Sequence, residues 1–128
     1  MTYLLDTQVL LWAAGDPTRL TRQTRDLLGN PAAELVFSTA SIWEVVIKNA
    51  LGRSDFRIEP RQLRDGLIHH GYSELSVRSE HALAVGLLPP IHNDPFDRIL
   101  MAQAQVENIM LLTTDKRLAQ YPVPIQAV

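Results

Sequence analysis

The stretch Thr2-Tyr3-Leu4-Leu5-Asp6-Thr7-Gln8-Val9-Leu10-Leu11-Trp12-Ala13-Ala14 is an apolar run closed by an acid, then an apolar octad that Gly15-Asp16-Pro17 stops. The first part reads as a buried strand and the second as a buried helix, with Asp6 at the junction. The same alternation recurs outward. Leu20, Leu27 and Leu28 give a partial helical stripe from about Thr21, closed by Gly29-Asn30-Pro31, and Leu35-Val36-Phe37 follows as a second strand. Ser38 to Ser41 opens a helix over Ser41 to Leu51, ended by Gly52, where glycine tolerates the left-handed backbone of a helix terminus.

A further helix is expected from Pro60 to His70, stopped by Gly71, and a strand from Tyr72 to Val77. Ser79 to Leu87 reads as a helix that Leu88-Pro89-Pro90 terminates. Asp94-Pro95-Phe96-Asp97 opens the long helical run Arg98 to Val106. Met110 to Thr113 is a strand, Asp115 to Ala119 a short helix, and Val123 to Ile125 an edge strand. Strands alternating with helices predict an α/β fold with a mainly parallel sheet covered on both faces.

With 128 residues and no linker, repeat or low-complexity tract, the chain is expected to form one domain over residues 1–128. Surface scaling for this size has folding bury about two-thirds of roughly 21,000 Å². The composition, 46% hydrophobic and 20% charged, excludes disordered, collagen-like and mucin-like chains. No cysteine is present, which removes disulfide scaffolds, thiol nucleophiles and cysteine-ligated metals. No basic leader and no window of roughly 18 apolar residues is found, so a cytoplasmic, membrane-free protein is expected. A net charge of −2 announces no nucleic-acid binder. Locally, Lys48, Arg53, Arg57, Arg61 and Arg64 against Asp55 and Glu59 form a basic stretch suited to a solvated face or a phosphate-binding rim.

Phosphate-cradling glycine loops, the G-x-S-x-G elbow and the H-E-x-x-H motif are all missing. What remains is a set of acids at element junctions: Asp6 closing the first strand, Glu44 in the first turn after the second, Asp115 after the last long one, and Asp97 after a loop. Parallel strands place their following residues on one carboxyl edge, where open α/β sheets bind ligands. Three of the acids thus converge; the position of Asp97 does not follow from topology. Each also has an ordinary use. Ser41-x-x-Glu44 matches a capping box, Glu44 pairs with Lys48 at i, i+4, Asp94 precedes a proline as an N-cap, and Asp6 and Asp115 suit helix starts. Gathered carboxylates repel, however, and an oxygen-only donor set without cysteine suits Mg²⁺ or Mn²⁺.

Among the histidines, His69 and His70 end a helix as dipole partners and His81 is ordinary packing or surface. His92 is a loop residue near Asp94, with a structural role expected. Trp12 and Trp43 are expected in the core, with base stacking as the lesser alternative.

Four segments together, Leu4-Leu5-Asp6-Thr7, Ser41-Ile42-Trp43-Glu44-Val45-Val46-Ile47-Lys48, His92-Asn93-Asp94-Pro95-Phe96-Asp97-Arg98 and Thr113-Thr114-Asp115, resemble the PIN-domain family, in particular its VapC-like ribonuclease toxins. The resemblance runs from Leu4 to about Tyr121. It implies a three-layer α/β/α fold and Mg²⁺- or Mn²⁺-dependent endoribonuclease activity leaving 5′-phosphate and 3′-hydroxyl ends. It also implies a cognate antitoxin and a homodimer. By motif position, Asp6, Glu44 and Asp97 are the principal metal-site acids and Asp115 the fourth, more variable one, while Asp94 caps its helix. Thr7, Thr114 and Lys48 are candidates for orienting carboxylates or contacting phosphate, with the helix ion pair to Glu44 as the alternative for Lys48. Two other readings stay open, a structure-specific DNA nuclease and a non-catalytic module stabilised by metal. A phosphatase of the haloacid dehalogenase type would need an acid where Gln8 stands.

Overall fold

The computed structural model describes residues 1–52 and 58–128; Arg53, Asp55 and Arg57 of the basic stretch lie outside them. Five strands, β1 (Thr2–Leu5), β2 (Glu34–Ser38), β3 (Ser73–Leu75), β4 (Met110–Thr113) and β5 (Ile125–Ala127), form one sheet in the order β3-β2-β1-β4-β5. Every pairing is parallel, with Leu4 opposite Val36 on one side and Leu111 on the other. Among the described residues six helices connect them: α1 (Thr7–Gly15), α2 (Arg22–Leu28), α3 (Thr39–Ala50), α4 (Pro60–His69), α5 (Ser79–Val85) and α6 (Pro95–Glu107). Short 3₁₀ turns lie at Pro17–Arg19 and Lys116–Gln120.

The two-residue period of the strands separates two cores. Tyr3, Leu5, Phe37 and Leu112 point to one face, where Val9, Leu10, Val45, Leu63 and Leu67 of α1, α3 and α4 cover them. Leu4 and Leu111 point to the other, against Leu100, Met101 and Ala104 of α6 and against Leu118 and Tyr121. Apolar runs buried on both faces are what a parallel sheet demands, and the architecture is the expected α/β/α sandwich.

Several local expectations shift. α3 begins at Thr39 with Ser38 as its cap, the hydroxyl accepting from the Ala40 N–H at 3.0 Å. Ser41 is therefore inside the helix, not at a capping box. Strand β3 is shorter than Tyr72 to Val77 because the backbone beyond Leu75 finds side chains. Gln103 Nε2 donates to the Ser76 carbonyl at 3.4 Å, and the Val77 N–H donates to Thr39 Oγ1 at 3.2 Å. β5 starts two residues late, since Pro124 has no N–H and contributes only its carbonyl, to the Leu111 N–H at 2.9 Å. Gly52 takes the left-handed backbone foreseen for it, φ 65°, and Asn108 (φ 55°) ends α6 in the same conformation.

Trp43 is not core: it is 61% exposed and meets Phe96 edge to face at 5.3 Å. The buried positions of α3 are Ala40, Ser41, Glu44 and Val45, so the stripe that faces inward carries the acid and turns the tryptophan outward.

Candidate metal centre

Asp6 leaves β1 and caps α1. Its Oδ1 accepts from the Val9 N–H at 2.8 Å and its Oδ2 from the Thr113 hydroxyl at 2.6 Å, tying the ends of β1 and β4 together. Burial is the main reason its carboxyl is pushed up from 3.8 to about 6. The charge of Asp97 adds to this, while the hydrogen bonds from Thr113, Val9 and the Thr114 backbone oppose it.

Glu44 comes from the buried stripe of α3. Thr7 Oγ1 donates to its Oε1 at 2.6 Å and lies 2.9 Å from Ser41 Oγ, while Lys48 Nζ pairs with Oε2 at 2.5 Å. Burial works against the Lys48 ammonium, but Glu44 outweighs it, with help from Asp94 and Asp97, and holds the lysine above its ordinary range.

Asp97 occupies the first turn of α6, which Asp94 caps by accepting from the N–H groups of Phe96 (2.9 Å) and Asp97 (3.4 Å). Its Oδ2 lies 2.8 Å from His92 Nε2. Burial first, then the charges of Asp94 and Glu44, push the Asp97 carboxyl up against the opposing His92 hydrogen bond. Topology alone does not bring Asp97 to the carboxyl edge, yet its charge is felt by Asp6 and it feels Glu44 in turn. The three acids therefore share one field.

Asp115 follows β4 as expected but is engaged elsewhere. Its carboxylate caps the 3₁₀ turn through the Arg117 N–H at 3.0 Å and takes a two-pronged pair from the Arg117 guanidinium, with Nη2 to Oδ2 at 2.7 Å. That hydrogen bonding is the main reason its pKa lies below the ordinary range.

Sequence reasoning gave His92 only a structural role and left Asp94 as a cap. Each of these two and Asp97 presents a ligand atom within 4.8 Å of the others. It also assigned nothing to Arg98 or Tyr121, which bind the loop carrying His92.

Among the described residues, four carboxylates (Asp6, Glu44, Asp94, Asp97) face one ammonium, Lys48, and two of the four are driven toward their neutral forms. A hard divalent cation relieves this imbalance, and oxygen donors from partly desolvated carboxylates suit Mg²⁺ or Mn²⁺. The residues present fit such an ion.

A family model described as PIN domain matches residues 3–124. The fold is shared with VapBC2 from Rickettsia felis bound to a DNA fragment from its promoter, at TM-score 0.72 and 15% identity over 99% of this chain and 98% of that one. DNA-bound VapBC from Salmonella typhimurium is similar at TM-score 0.67 and 13% identity over 99% and 98% of the two chains. VapBC-1 from nontypeable Haemophilus influenzae gives TM-score 0.61 and 20% identity over the same shares. A comparison with the curated proteins finds no match.

Proposed function

Because the chain belongs to the PIN domain family, we propose that it is a divalent-metal-dependent endoribonuclease and the toxin of a toxin–antitoxin pair. The family consists of nuclease-type hydrolases that generally use a divalent metal. The observation that carries the reading is the mutual repulsion of Asp6, Glu44 and Asp97, the first two buried and the third partly exposed, with Lys48 paired to Glu44.

In this reading Asp6, Glu44 and Asp97 hold Mg²⁺ or Mn²⁺, with Asp115 as a peripheral fourth acid. The bound ion supplies Lewis-acid polarisation of the phosphodiester and makes water a better nucleophile. The chain's own part is orientation. Val9 and Thr113 fix both oxygens of Asp6, and Thr7 and Lys48 fix both oxygens of Glu44, so neither carboxylate pays rotamer entropy when it ligates. Lys48, about half exposed, has donors left for a phosphate oxygen. Water adds to phosphorus, the bond to the 3′ oxygen breaks, and the products carry 5′-phosphate and 3′-hydroxyl ends.

An antitoxin partner is supported by the VapBC complexes that share the fold. A homodimer is part of the same reading, and the apolar groove of about 680 Å³ lined by Trp43, Ile47, Val77, Val85, Phe96 and Ile99 is a surface that a protein partner would cover. Among the described residues no helix is long and apolar enough to cross a membrane. A cytoplasmic location goes with an RNA substrate.

The test is incubation of the purified, antitoxin-free chain with cellular RNA, single-stranded DNA and duplex DNA, each with Mg²⁺, Mn²⁺ or EDTA, beside Asp6→Asn. RNA cleavage that needs metal and disappears in the variant is expected. Full activity in Asp6→Asn, or in EDTA, sinks the assignment. Cleavage of DNA alone moves it to a DNA nuclease, and a metal-raised Tm without any cleavage moves it to a binding module.

A further inference from the structure

The three acids of the metal centre are not held equally. Asp6 and Glu44 each have both carboxylate oxygens engaged by protein donors. Among the described residues only His92 Nε2 reaches the Asp97 carboxylate, at Oδ2. An aspartate in the first turn of a helix, partly exposed, otherwise rotates freely about two bonds. The acid that neither strand nor sheet positions thus depends on one imidazole.

That imidazole sits in a loop without regular structure, and the chain spends unusual resources on fixing it. The His92 N–H donates to the Tyr121 hydroxyl at 2.6 Å, and that hydroxyl lies 3.3 Å from the His92 carbonyl. Arg98 Nη1 donates to the same carbonyl at 3.2 Å and to that of Pro89 at 3.0 Å, while Nη2 reaches the carbonyls of Val85 (3.1 Å) and Leu88 (3.3 Å). Among the described residues Arg98 has no carboxylate partner; its guanidinium is directed to carbonyls of the segment from the end of α5 to α6 and, at 3.5 Å, to the Tyr121 hydroxyl. Asp97 and Arg98 are adjacent, so one turn of α6 presents both the acid and the clamp on the loop that anchors it. Tyr121, almost fully buried beyond β4, supplies the other side of the clamp.

We propose that His92 is a positioning residue for the metal centre: its Nε2–H fixes Asp97 Oδ2, leaving the other oxygen for the cation, and the Arg98–Tyr121 clamp holds the imidazole at the required place. Acceptance by the carboxylate sets the tautomer, with the proton on Nε2. This rests on the metal-centre reading and adds to it a loop device that sets the geometry of its least anchored ligand.

The experiment measures Mn²⁺ affinity by titration calorimetry, metal-free Tm, and kcat and KM on RNA for His92→Ala, His92→Gln, Tyr121→Phe and Asp97→Asn. His92→Ala is expected to weaken Mn²⁺ binding by about 10-fold or more, the usual cost of losing an outer hydrogen bond to a ligand. Its kcat falls at limiting metal and recovers at high metal, with KM for RNA unchanged. His92→Gln, whose amide N–H reaches the same oxygen, returns affinity to within about threefold. Tyr121→Phe moves affinity the same way by less. Unchanged Mn²⁺ affinity in His92→Ala overturns the proposal, and so does a glutamine variant as defective as the alanine one, which makes His92 itself a ligand. Should His92→Ala not fold, the glutamine and Tyr121→Phe variants decide. Asp97→Asn that loses Mn²⁺ while His92→Ala binds normally defeats this inference alone; Asp97→Asn that still binds Mn²⁺ defeats the metal-centre reading beneath it.

Discussion

Two histidine–carboxylate pairs with the same 2.8 Å separation sit at opposite ends of α6, His92–Asp97 at its start and His81–Glu107 at its finish. The helix dipole favours the anion at the start and disfavours it at the finish. The carboxyls behave the other way. Glu107 is held below its ordinary range, chiefly by the His81 hydrogen bond and then by Arg78, which shares the same oxygen. Asp97 is pushed up by burial and by the acids around it. His81, fully buried, also accepts the Arg78 N–H at 2.9 Å on Nδ1, so both of its ring nitrogens are matched. A histidine on a carboxylate therefore says little about function. The uncompensated negative charge around one of the two pairs says a great deal.

The widest separation between the two ends is in catalysis. Asp97→Asn is expected to lower single-turnover RNA cleavage by about 1,000-fold or more, the loss of several kcal/mol of metal-borne stabilisation. Glu107→Gln leaves cleavage per folded molecule within about twofold and costs roughly 1–3 kcal/mol of stability, the worth of hydrogen bonds to a charged group. The comparison breaks if the Glu107 variant loses catalysis at unchanged Tm.

A smaller contrast lies in stability against pH. With EDTA present, the folded chain holds a proton on Asp6 between about 4 and about 6 that the unfolded chain has already released, so stability falls as pH rises through that window. Above it the full cost, about 3 kcal/mol at most, is present, and Asp6→Asn removes it. The variant should melt higher than the parent at pH 7 and no higher near pH 4. Glu107 has the opposite sign: its depressed pKa stabilises the fold above the unfolded value of 4.5, and that stabilisation is lost as pH falls. Melts between pH 3.5 and 7.5 separate the two; a constant difference between Asp6→Asn and its parent across the series refutes the assignment of the cost to Asp6. Mg²⁺ at 100 times its Kd should raise parental stability by about 2.7 kcal/mol and leave Asp6→Asn unmoved.

How much of this was legible follows from which physics each residue obeys. Asp6, Glu44 and Asp115 stand after strands of a parallel sheet, and Leu4 and Leu5 alone reveal a strand buried on both faces, so topology placed those acids. Asp97 stands in the first turn of α6, behind a loop held by Arg98 and Tyr121, which contact each other across 23 residues in a way that no local period encodes. Trp43 misled because hydrophobicity was read without phase. Taking Glu44 as the inward position would have turned Trp43 outward, as α3 does. The strand limits at Ser76 and Pro124 were lost to side-chain and proline bonding that a pattern of apolar residues does not register.

The smallest effect belongs to the acid that falls between the two classes. Asp115 shares the carboxyl edge with Asp6, since the Thr113 hydroxyl that donates to Asp6 also accepts the Asp115 N–H at 3.0 Å. Electrostatically it resembles Glu107, because an arginine matches its charge and holds its pKa down. Charge compensation, not position, should govern its contribution. Asp115→Asn is accordingly expected to cost less than about tenfold in cleavage. Its effect on stability should be below about 1 kcal/mol, because the Arg117 partner is largely exposed and the pair is screened. Raising the salt concentration should erase the stability difference between Asp115→Asn and its parent while the Asp97→Asn defect in cleavage persists. A loss of 100-fold or more in Asp115→Asn would place this carboxylate among the metal ligands despite Arg117, and charge surplus would then no longer separate the site from the scaffold.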